Sequence, residues 1–485
     1  MASFDQTIDS IFTPLVSTLD SILFWDPIAA MGIDAGVKIP FIIIWLVFGA
    51  LFFTFYFRFI NITGFKHAID IVRGKFDKDG HKGEISHFQA LATATASTVG
   101  LGNIAGVAVA ISMGGPGATF WMIIAGFFGM TTKFVECSLG VKYRNINADG
   151  SVSGGPMYYL SKGLKNKGFA KTGKILAIVF AIFAAIGAFG IGNMFQSNQV
   201  VAQFVTVFPA LEAFRLVMGI AMAVLVGVVI IGGIKGIARI NDKLFPAMAL
   251  FYFASCIIVL AVNYQNIFPA FALIFEGAFS PQGVGGGVLG VMIIGFRRAA
   301  FSNEAGIGSA AIAHATVKTE KPVTEGFVAL LEPFIDTVVI CTLTAMVIIV
   351  TGMYQNTEGL NGAALTSSAF STVSSWFPYL LLPTIFMFAY STIISWSYYG
   401  VKSFDYLAGN FFEKRFGKRI LATRIYQVAF LLLTVVGSVL SLNMIVDFSD
   451  MLVLAMAVPN IIGLLLLSPE LRNDVLHYLK SIKKQ

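Results

Sequence analysis

Charged residues are scarce in this sequence, since Asp, Glu, Lys and Arg together make up only 12% of its 485 residues. A soluble globular domain carries about 25% charged residues, whereas 56% of this chain is hydrophobic and its mean hydropathy is +0.80. The composition therefore excludes an ordinary soluble protein. Apolar runs such as residues 42–57 also lack the alternating polarity of outer-membrane strands. We therefore predict an all-α polytopic membrane protein.

Cysteines and catalytic motifs are equally scarce. Cys137, Cys256 and Cys341 all lie inside apolar runs, with no spacing that indicates a zinc site or a disulfide framework. The sequence has no H-E-x-x-H zinc motif, no G-K-[ST] nucleotide loop and no extramembrane catalytic domain. A membrane enzyme and an ATP-driven pump are therefore disfavoured, and no cofactor is expected. The N-terminus lacks the basic start of a signal peptide, so the first helix is expected to direct insertion.

Apolar runs of about 20 residues predict eleven transmembrane helices. Their predicted limits are 39–60, 88–112, 116–141, 175–196, 213–234, 243–263, 284–314, 327–352, 377–401, 424–442 and 447–467. Two amphipathic stretches, near 8–24 and 265–279, are expected to lie at the membrane interface.

Lysine and arginine concentrate in alternate loops of this predicted topology. The intervening loops are acidic or neutral, and Lys38 is their only clear basic residue. Because basic loops mark the cytoplasmic side of a membrane protein, the net charge of +7 is explained by topology rather than by nucleic acid. The pattern predicts a multi-pass protein of the cell (inner) membrane, embedded in the lipid bilayer. Its N-terminus is expected outside and its C-terminus in the cytoplasm.

Two predicted spans are interrupted by glycine and polar residues at mid-membrane depth. The second contains STVGLGNIAG (97–106), and the seventh contains FSNEAGIGSAAIAHA (301–315). Glycine permits unwound backbone, which a bilayer tolerates only where it faces a polar cavity. One glycine-rich helix alone is more often a close-packing motif. Two at matching positions favour a cavity.

Each interrupted span opens a block of five spans. Because five is odd, the second block is inserted upside down relative to the first, as in secondary transporters built from inverted repeats. Half-helix amides suit a carboxylate and freed carbonyls suit a cation, so a small zwitterion with a sodium ion would satisfy both. The predicted segments are an extracellular or periplasmic N-terminal segment (1–38), an extra helix (39–60), two repeats (88–263 and 284–467) and a basic cytoplasmic tail (468–485).

Five motifs follow one another along the chain: STVGLGNIAGVA, GGPGATFWM (114–122), FGMTTKFVE (128–136), FSNEAGIGSA and STIISWSYYG (391–400). Together they resemble the alanine or glycine:cation symporter family, the sodium:alanine symporters. The resemblance runs from about residue 84 to the end of the eleventh span. It implies a LeuT-type fold with one extra helix before a five-plus-five inverted repeat. It also implies sodium-driven uptake of alanine or glycine by alternating access.

The resemblance further implies which residues bind the substrate. The substrate carboxylate is expected at backbone amides of the second span, while Phe301 and Trp396 are expected to close a pocket suited to a methyl or hydrogen side chain. Leu101 stands where some family members have threonine, so only its amide is expected to contribute. The expected substrate-binding residues are Ser97, Gly100, Leu101, Gly102, Asn103, Gln196, Phe301, Ser302, Asn303, Ala305 and Trp396. The expected substrate is L-alanine, with D-alanine or glycine as alternatives.

The expected cation is sodium, which needs hard oxygen ligands. Under the same resemblance, the hydroxyls of Ser391 and Thr392 and the carbonyls of Ala96 and Val99 match the LeuT-type sodium site. An isolated Ser-Thr pair more often bonds back to its own helix. Gln196, likewise, has the alternative of an ordinary interhelical hydrogen bond.

Placing a charged residue inside a membrane span costs free energy, and such residues are usually functional or paired. Glu304 and Asp336 are predicted to serve a second cation position or a proton route. Arg297 and Arg298 are predicted to pair with them or with Glu332.

Other polar residues are predicted to have ordinary structural roles. Lys133 and Glu136, spaced i,i+3, are predicted to form one local ion pair. All five histidines are expected to be solvated: His67, His81, His87, His314 and His477.

Two alternative functions stay open, namely proton-coupled transport on the same fold and, less favoured, an ion channel. Two inverted copies would make a poor ring for a channel filter.

Overall fold

The fold is described by a computed structural model covering residues 17–76, 81–280, 287–355 and 362–482. Helices dominate because a helix satisfies its own backbone hydrogen bonds inside a bilayer. The helices that occupy the predicted spans are α1 (Phe41–Tyr56), α2a (His87–Thr98), α2b (Ala105–Gly114), α3 (Ala118–Lys142), α4 (Ala170–Val207), α5 (Pro209–Ile230), α6 (Gly233–Val262), α7a (Gly287–Asn303), α7b (Ala310–His314), α8 (Pro322–Val350), α9 (Phe377–Phe416), α10 (Ile420–Val439) and α11 (Leu442–Ile482).

The described helices agree with an eleven-span chain. Among the described residues, eight helices are long and apolar enough to cross a membrane, and the bent pair α2a and α2b makes a ninth. α1 is a shorter apolar helix of 16 residues, and α7a and α7b occupy the seventh predicted span. The all-α prediction is confirmed, and the number of spans is consistent with about eleven.

Several helices extend beyond their apolar runs. α9 continues to Phe416, and α11 continues to Ile482 through most of the segment assigned to a basic tail (468–485). Hydropathy marks only the part of a helix that lies in hydrocarbon, so polar extensions escape it.

Of the two stretches predicted to lie at the membrane interface, one is described completely and the other only in part. The stretch near 265–279 forms the helix Ile267–Phe279, whose side chains Phe268 and Phe275 are strongly exposed. Exposed phenyl rings on an amphipathic helix are typical of a membrane interface. Of the stretch 8–24, the part up to residue 16 lies outside the described residues, and residues 17–23 are helical.

The connections after α1, α3 and α7 meet at one end of the helix bundle. Arg144, after α3, donates hydrogen bonds to the carbonyl oxygens of Lys82 (2.9 Å) and Thr319 (2.7 Å), which belong to the other two connections. Lys402 of α9 donates to the carbonyl oxygen of Val152 at 2.8 Å. These connections hold many of the lysines and arginines of the alternate loops, so we call this end the basic end.

The broken helices lie beside continuous ones. α2a packs against α6 and α9, whereas α3 packs against α7a and α8. Small residues allow close approach, as in membrane helices generally: a Cβ added at Gly326 of α8 would lie 2.0 Å from Ser138 Oγ of α3. The connection between α3 and α4 carries the antiparallel strands β1 (Asn145–Ile146) and β2 (Val152–Ser153).

Candidate functional site

The break in α2 follows from its glycines. α2a begins at a capping box of Ser86 and Gln89, and α2b leaves the direction of α2a by 56°. Between them Gly100 is extended, with φ −134° and ψ −151°, and its N–H donates to Asn103 Oδ1 at 2.9 Å. The side chain of Asn103 therefore replaces one backbone hydrogen bond that the helix loses.

The break in α7 uses left-handed backbone. Glu304 has φ 55°, and Gly306 and Gly308 have φ 93° and 92°. Glycine adopts this region freely, whereas a residue with a Cβ is strained there. Asn460 of α11 donates to the carbonyl oxygen of Gly306 at 2.8 Å, so a carbonyl freed by the break finds a partner. The predicted interruptions thus occur at both expected places.

The two breaks lie against each other. A Cβ added at Gly102 would lie 3.7 Å from Phe301 Cδ1 and from Ser302 Cα. Phe301 also meets Phe195 of α4 edge to face, with ring centroids 5.8 Å apart. Gly102, Phe301 and Ser302 are therefore neighbours, as the resemblance implies, and Phe195 is a neighbour that sequence reasoning missed.

Gln196 joins α4 to the break in α2. Its Oε1 accepts from the Leu101 N–H at 3.4 Å, and its Nε2 donates to the carbonyl oxygen of Ile191 at 3.0 Å. A Cβ added at Gly100 would lie 3.4 Å from the same Oε1. Gln196 therefore makes an interhelical bond, and that bond lies at the predicted site.

Asp336 connects the two breaks through its carboxylate. It accepts hydrogen bonds from Asn103 Nδ2 (2.7 Å), Ser302 Oγ (2.8 Å) and Thr337 Oγ1 (2.7 Å), and it is fully buried. Asn303 Nδ2 in turn donates to Thr337 Oγ1 at 2.9 Å. The residue lies in a π-helical segment of α8, Phe334–Cys341, and the widened turn was not visible in the sequence.

The hydroxyls of Ser391 and Thr392 both point at one carbonyl. Ser391 Oγ and Thr392 Oγ1 lie 3.3 Å and 3.0 Å from the carbonyl oxygen of Ala96, near the end of α2a. The Ser391 hydroxyl also bonds back within α9, to Phe388 O at 2.9 Å. Three oxygens therefore converge between α2a and α9, an arrangement that suits a hard cation.

Val99 and Ser97 occupy neighbouring positions with different contacts. The Val99 N–H closes α2a by donating to Thr95 O at 2.7 Å. Ser97 Oγ donates to Ala94 O and lies 3.0 Å from the Tyr399 hydroxyl of α9. Ser97 therefore helps hold α2a against α9.

Two residues expected in the substrate pocket, Trp396 and Ala305, also contact the continuous helices α4 and α3. Trp396 is fully buried against α4, where a Cβ added at Gly192 would lie 2.2 Å from it. Ala305 faces α3, because a Cβ added at Gly129 of α3 would lie 2.9 Å from the Cβ of Ala305. That Phe301 and Trp396 close one pocket stays a prediction.

The arginines of α7a do not pair as predicted. Arg297 and Arg298 both lie near Asp450 Oδ2 of α11, at 2.8 Å and 3.4 Å. They precede the break by one to two helical turns. Their described salt bridges are therefore made on the far side of the break from Glu332, and the predicted pairing was wrong.

Lys133 also has a partner other than the predicted one. Its Nζ lies 2.9 Å from Glu332 Oε1, and both side chains are fully buried. Glu136 instead accepts from Asn460 Nδ2 at 2.8 Å. Helix spacing identifies only neighbours on one helix, so it could not identify a carboxylate on α8.

The prediction that all five histidines are solvated was wrong for two of them. His87 and His314 are buried, and the Nδ1 atoms of both contact the carboxylate of Glu325. Glu325 and Glu332 begin an apolar span, and an acidic residue there usually has a buried partner. That signal was available in the sequence.

Comparison with known proteins supports a transporter. The sequence model of the sodium:alanine symporter family matches residues 29–485. The sodium/alanine symporter AgcS of Methanococcus maripaludis is 41% identical over 432 residues, which cover 88% of this chain and 92% of AgcS. The amino-acid carrier protein AlsT of Bacillus subtilis is 34% identical over 440 residues, or 89% of each chain. The structure of MhsT in complex with L-phenylalanine matches with a TM-score of 0.54 at 15% identity, covering 80% of this chain and 89% of MhsT, so it shares the LeuT-type fold.

Proposed function

The chain belongs to the sodium:alanine symporter family, and from this premise we propose that it takes up L-alanine together with sodium by alternating access. It is a multi-pass membrane transporter and not an enzyme. The observation that carries the proposal is the meeting of two broken helices beside three convergent oxygens, those of Ala96, Ser391 and Thr392.

The proposed substrate position lies at the break in α2. The amides at Gly100, Leu101 and Gly102 are released from regular helix and can donate to a carboxylate, where the half-helix dipole is also favourable. Gln196 Oε1 already accepts from the Leu101 amide at 3.4 Å. It can exchange this bond for one to the substrate ammonium. Asn103 and the residues of α7a near the break complete the proposed contacts.

The proposed sodium position lies between α2a and α9. Sodium would be held by the carbonyls of Ala96 and Val99 and the hydroxyls of Ser391 and Thr392. Because the ion would link α2a to α9 next to Gly100, its binding would stabilise the bent backbone that also binds the carboxylate. Two ligands that favour the same conformation are thermodynamically coupled.

Substrate size is proposed to be limited by close packing at the α7a side. Gly102 lies within ordinary contact of Phe301, which is itself packed against Phe195. A methyl side chain suits so narrow a space, which favours L-alanine over longer amino acids. Glycine and D-alanine are the alternative substrates.

We assign the basic end to the cytoplasmic side of a cell (inner) membrane, following the positive-inside rule.

The decisive experiment is uptake of labelled L-alanine into proteoliposomes that contain the purified protein. We expect accumulation above equilibrium with an inward sodium gradient and none when potassium replaces sodium. Competition by unlabelled glycine and D-alanine then ranks the finer alternatives. Absence of alanine flux under every gradient would overturn the proposed substrate.

Proton coupling is the second candidate function, and Asp336 is the observation that favours it. A fully buried carboxylate that touches both breaks is placed to bind a proton or a second cation. In the same proteoliposomes, accumulation driven by a proton gradient without sodium would support this candidate. It would also remove the proposed sodium role of Ser391 and Thr392.

A further inference from the structure

A network of buried ionisable side chains lies between the two helix breaks and the basic end of the molecule. It consists of His87 on α2a, Lys133 on α3, His314 on α7b, and Glu325 and Glu332 on α8. We call these five residues the buried ion network. None of them belongs to the proposed alanine or sodium positions.

Glu325 lies between the two histidines. Its Oε1 is 2.5 Å from His314 Nδ1, and its Oε2 contacts His87 Nδ1. A carboxylate accepts hydrogen bonds only, so each Nδ1 carries the hydrogen. The tautomer of His314 follows from this, because a neutral ring with Nδ1–H has a bare lone pair at Nε2.

That second nitrogen faces another carboxylate oxygen. His314 Nε2 lies 3.6 Å from Glu332 Oε2, and both atoms are buried without a hydrogen-bond partner in the described part of the chain. In a neutral ring, the Nε2 lone pair would face the oxygen lone pairs where the surroundings screen charge poorly. A proton on Nε2 converts this repulsion into attraction. We infer that His314 Nε2 and Glu332 Oε2 form a proton-binding site, so that His314 is an imidazolium in this conformation.

The surrounding charges are consistent with a bound proton. Carboxylates exceed fixed cations near the network, and an extra proton reduces that excess. The ionisable groups that face the network from the packed elements are His87 on α2a, Lys133, Glu136 and Cys137 on α3, Arg144 after α3, Glu304 in the α7 break, Glu325, Glu332 and Asp336 on α8, and Tyr399 on α9. The guanidinium of Arg144 is engaged with carbonyl oxygens, including that of Ala315 at 2.8 Å.

The site ties two half-helices to the rest of the bundle. His87 lies on α2a and His314 on α7b, and both are bound through Glu325 to α8. The proposed opening at the basic end moves α7b away from α8, which separates His314 from Glu325 and Glu332. His314 would then meet water, where histidine has a pKa of about 6.5 and loses its proton at neutral pH. Opening at the basic end therefore releases a proton, and higher pH favours the open state.

The first test measures the proton directly and does not depend on transport. Nitrogen-15 NMR of histidine-labelled protein in lipid at pH 8 should show a ring with both nitrogens protonated. The signal should be absent from His314→Gln and retained in His477→Gln, whose ring is exposed. If wild-type protein shows no doubly protonated ring at pH 8, the inference is overturned, whatever the fate of the variants or of the proposed alanine function.

The second test measures the coupling. Alanine exchange is followed in proteoliposomes with saturating sodium on both sides, while the pH facing the basic end is varied from 6.5 to 8.5. One released proton changes the opening equilibrium by up to about tenfold per pH unit, so wild-type exchange should rise with pH. His314→Gln, which removes the ring that binds the proton and leaves the Lys133–Glu332 pair in place, should flatten the rise, and His477→Gln should keep it. Equal pH profiles for wild type and His314→Gln would overturn the coupling.

Discussion

Thr392 Oγ1 lies 3.0 Å from the carbonyl oxygen of Ala96, and this contact joins the continuous helix α9 to the last turn of α2a before its break. The same hydroxyl would lie 2.6 Å from a Cβ added at Gly100. The proposed ion position and the proposed substrate backbone are therefore neighbours across one hydroxyl. Such proximity gives sodium and substrate a short physical route by which each can favour the binding of the other.

Replacing Thr392 by alanine should weaken the response to sodium. A hydrogen bond or ligand contact to a charged group contributes about 1.5–3 kcal/mol, which corresponds to roughly a 10- to 100-fold higher sodium requirement. The measurement is the sodium concentration for half-maximal alanine uptake. The preference among alanine, serine and glycine should stay unchanged.

Two controls separate this role from folding. Thr392→Ser keeps the hydroxyl and should keep the sodium response. Ser397→Ala removes a hydroxyl of α9 that bonds back to Ile394 O at 2.6 Å, and it should leave sodium dependence intact. A Thr392→Ala protein with normal sodium dependence would contradict the proposed ion position.

Adding a methyl group at Gly100 should damage both ligand positions at once. The new carbon would lie 2.6 Å from Thr392 Oγ1 and 3.4 Å from Gln196 Oε1. Overpacking of this kind typically costs about 1–3 kcal/mol, so we expect roughly a 5- to 150-fold weaker affinity for sodium and alanine. Ligand-dependent thermal stabilisation of purified Gly100→Ala measures both affinities.

Gly106→Ala is the matched control for that substitution. Gly106 lies in α2b on the other side of the break, and an added Cβ there would meet nothing within 4 Å. Alanine also favours helix over glycine by about 0.5–1 kcal/mol. We expect this variant to keep its sodium and alanine affinities. If the two variants behave alike, close contact at Gly100 is not the cause.

Much of the fold could be predicted because the bilayer imposes a simple rule on the sequence. Long apolar runs mark helices, and the glycines at 100, 102, 306 and 308 mark where helices break. The convergence of Ser391 and Thr392 on α2a was implied by family resemblance rather than by spacing. Composition alone would not have placed residues almost 300 positions apart in contact.

The charged partners could not be predicted in the same way. Lys133 with Glu332, and Arg297 with Asp450, are pairs between different helices. Helical periodicity gives the face on which each residue lies but not the helix that faces it. The π-helical turn around Asp336 was hidden for another reason, because a single inserted residue changes the register without changing hydropathy.

Removing the charge of Lys133 should destabilise the whole protein. Its pair with Glu332 is fully buried, and breaking a buried pair by removing one partner typically costs 3–5 kcal/mol. Thermal unfolding of Lys133→Met in detergent should therefore begin at a clearly lower temperature. Lys133→Met combined with Glu332→Gln should recover part of the loss, because no unpaired charge remains at that position.

An exposed pair gives the comparison for Lys133. Lys75 and Asp70 form a salt bridge in which the lysine side chain is 58% exposed. Such pairs contribute about 0–1 kcal/mol, so Lys75→Met should unfold close to the wild-type temperature. Equal shifts for the two lysine variants would show that burial of the Lys133 pair does not decide its contribution.

Changing Trp396 should alter substrate choice more than sodium dependence. The ring is fully buried against Gly192, in the π-helical segment Gly190–Met194 that leads to Gln196. Trp396→Phe leaves space there, and a methylene group that fills such space contributes about 0.8 kcal/mol. Uptake of 2-aminobutyrate relative to alanine should therefore rise by roughly fourfold or more. Half-maximal sodium should stay near the wild-type value, and Trp376→Phe, at an exposed ring before α9, should change neither quantity. A Trp396→Phe protein with altered sodium dependence and unchanged size preference would place this tryptophan on the ion side of the site instead.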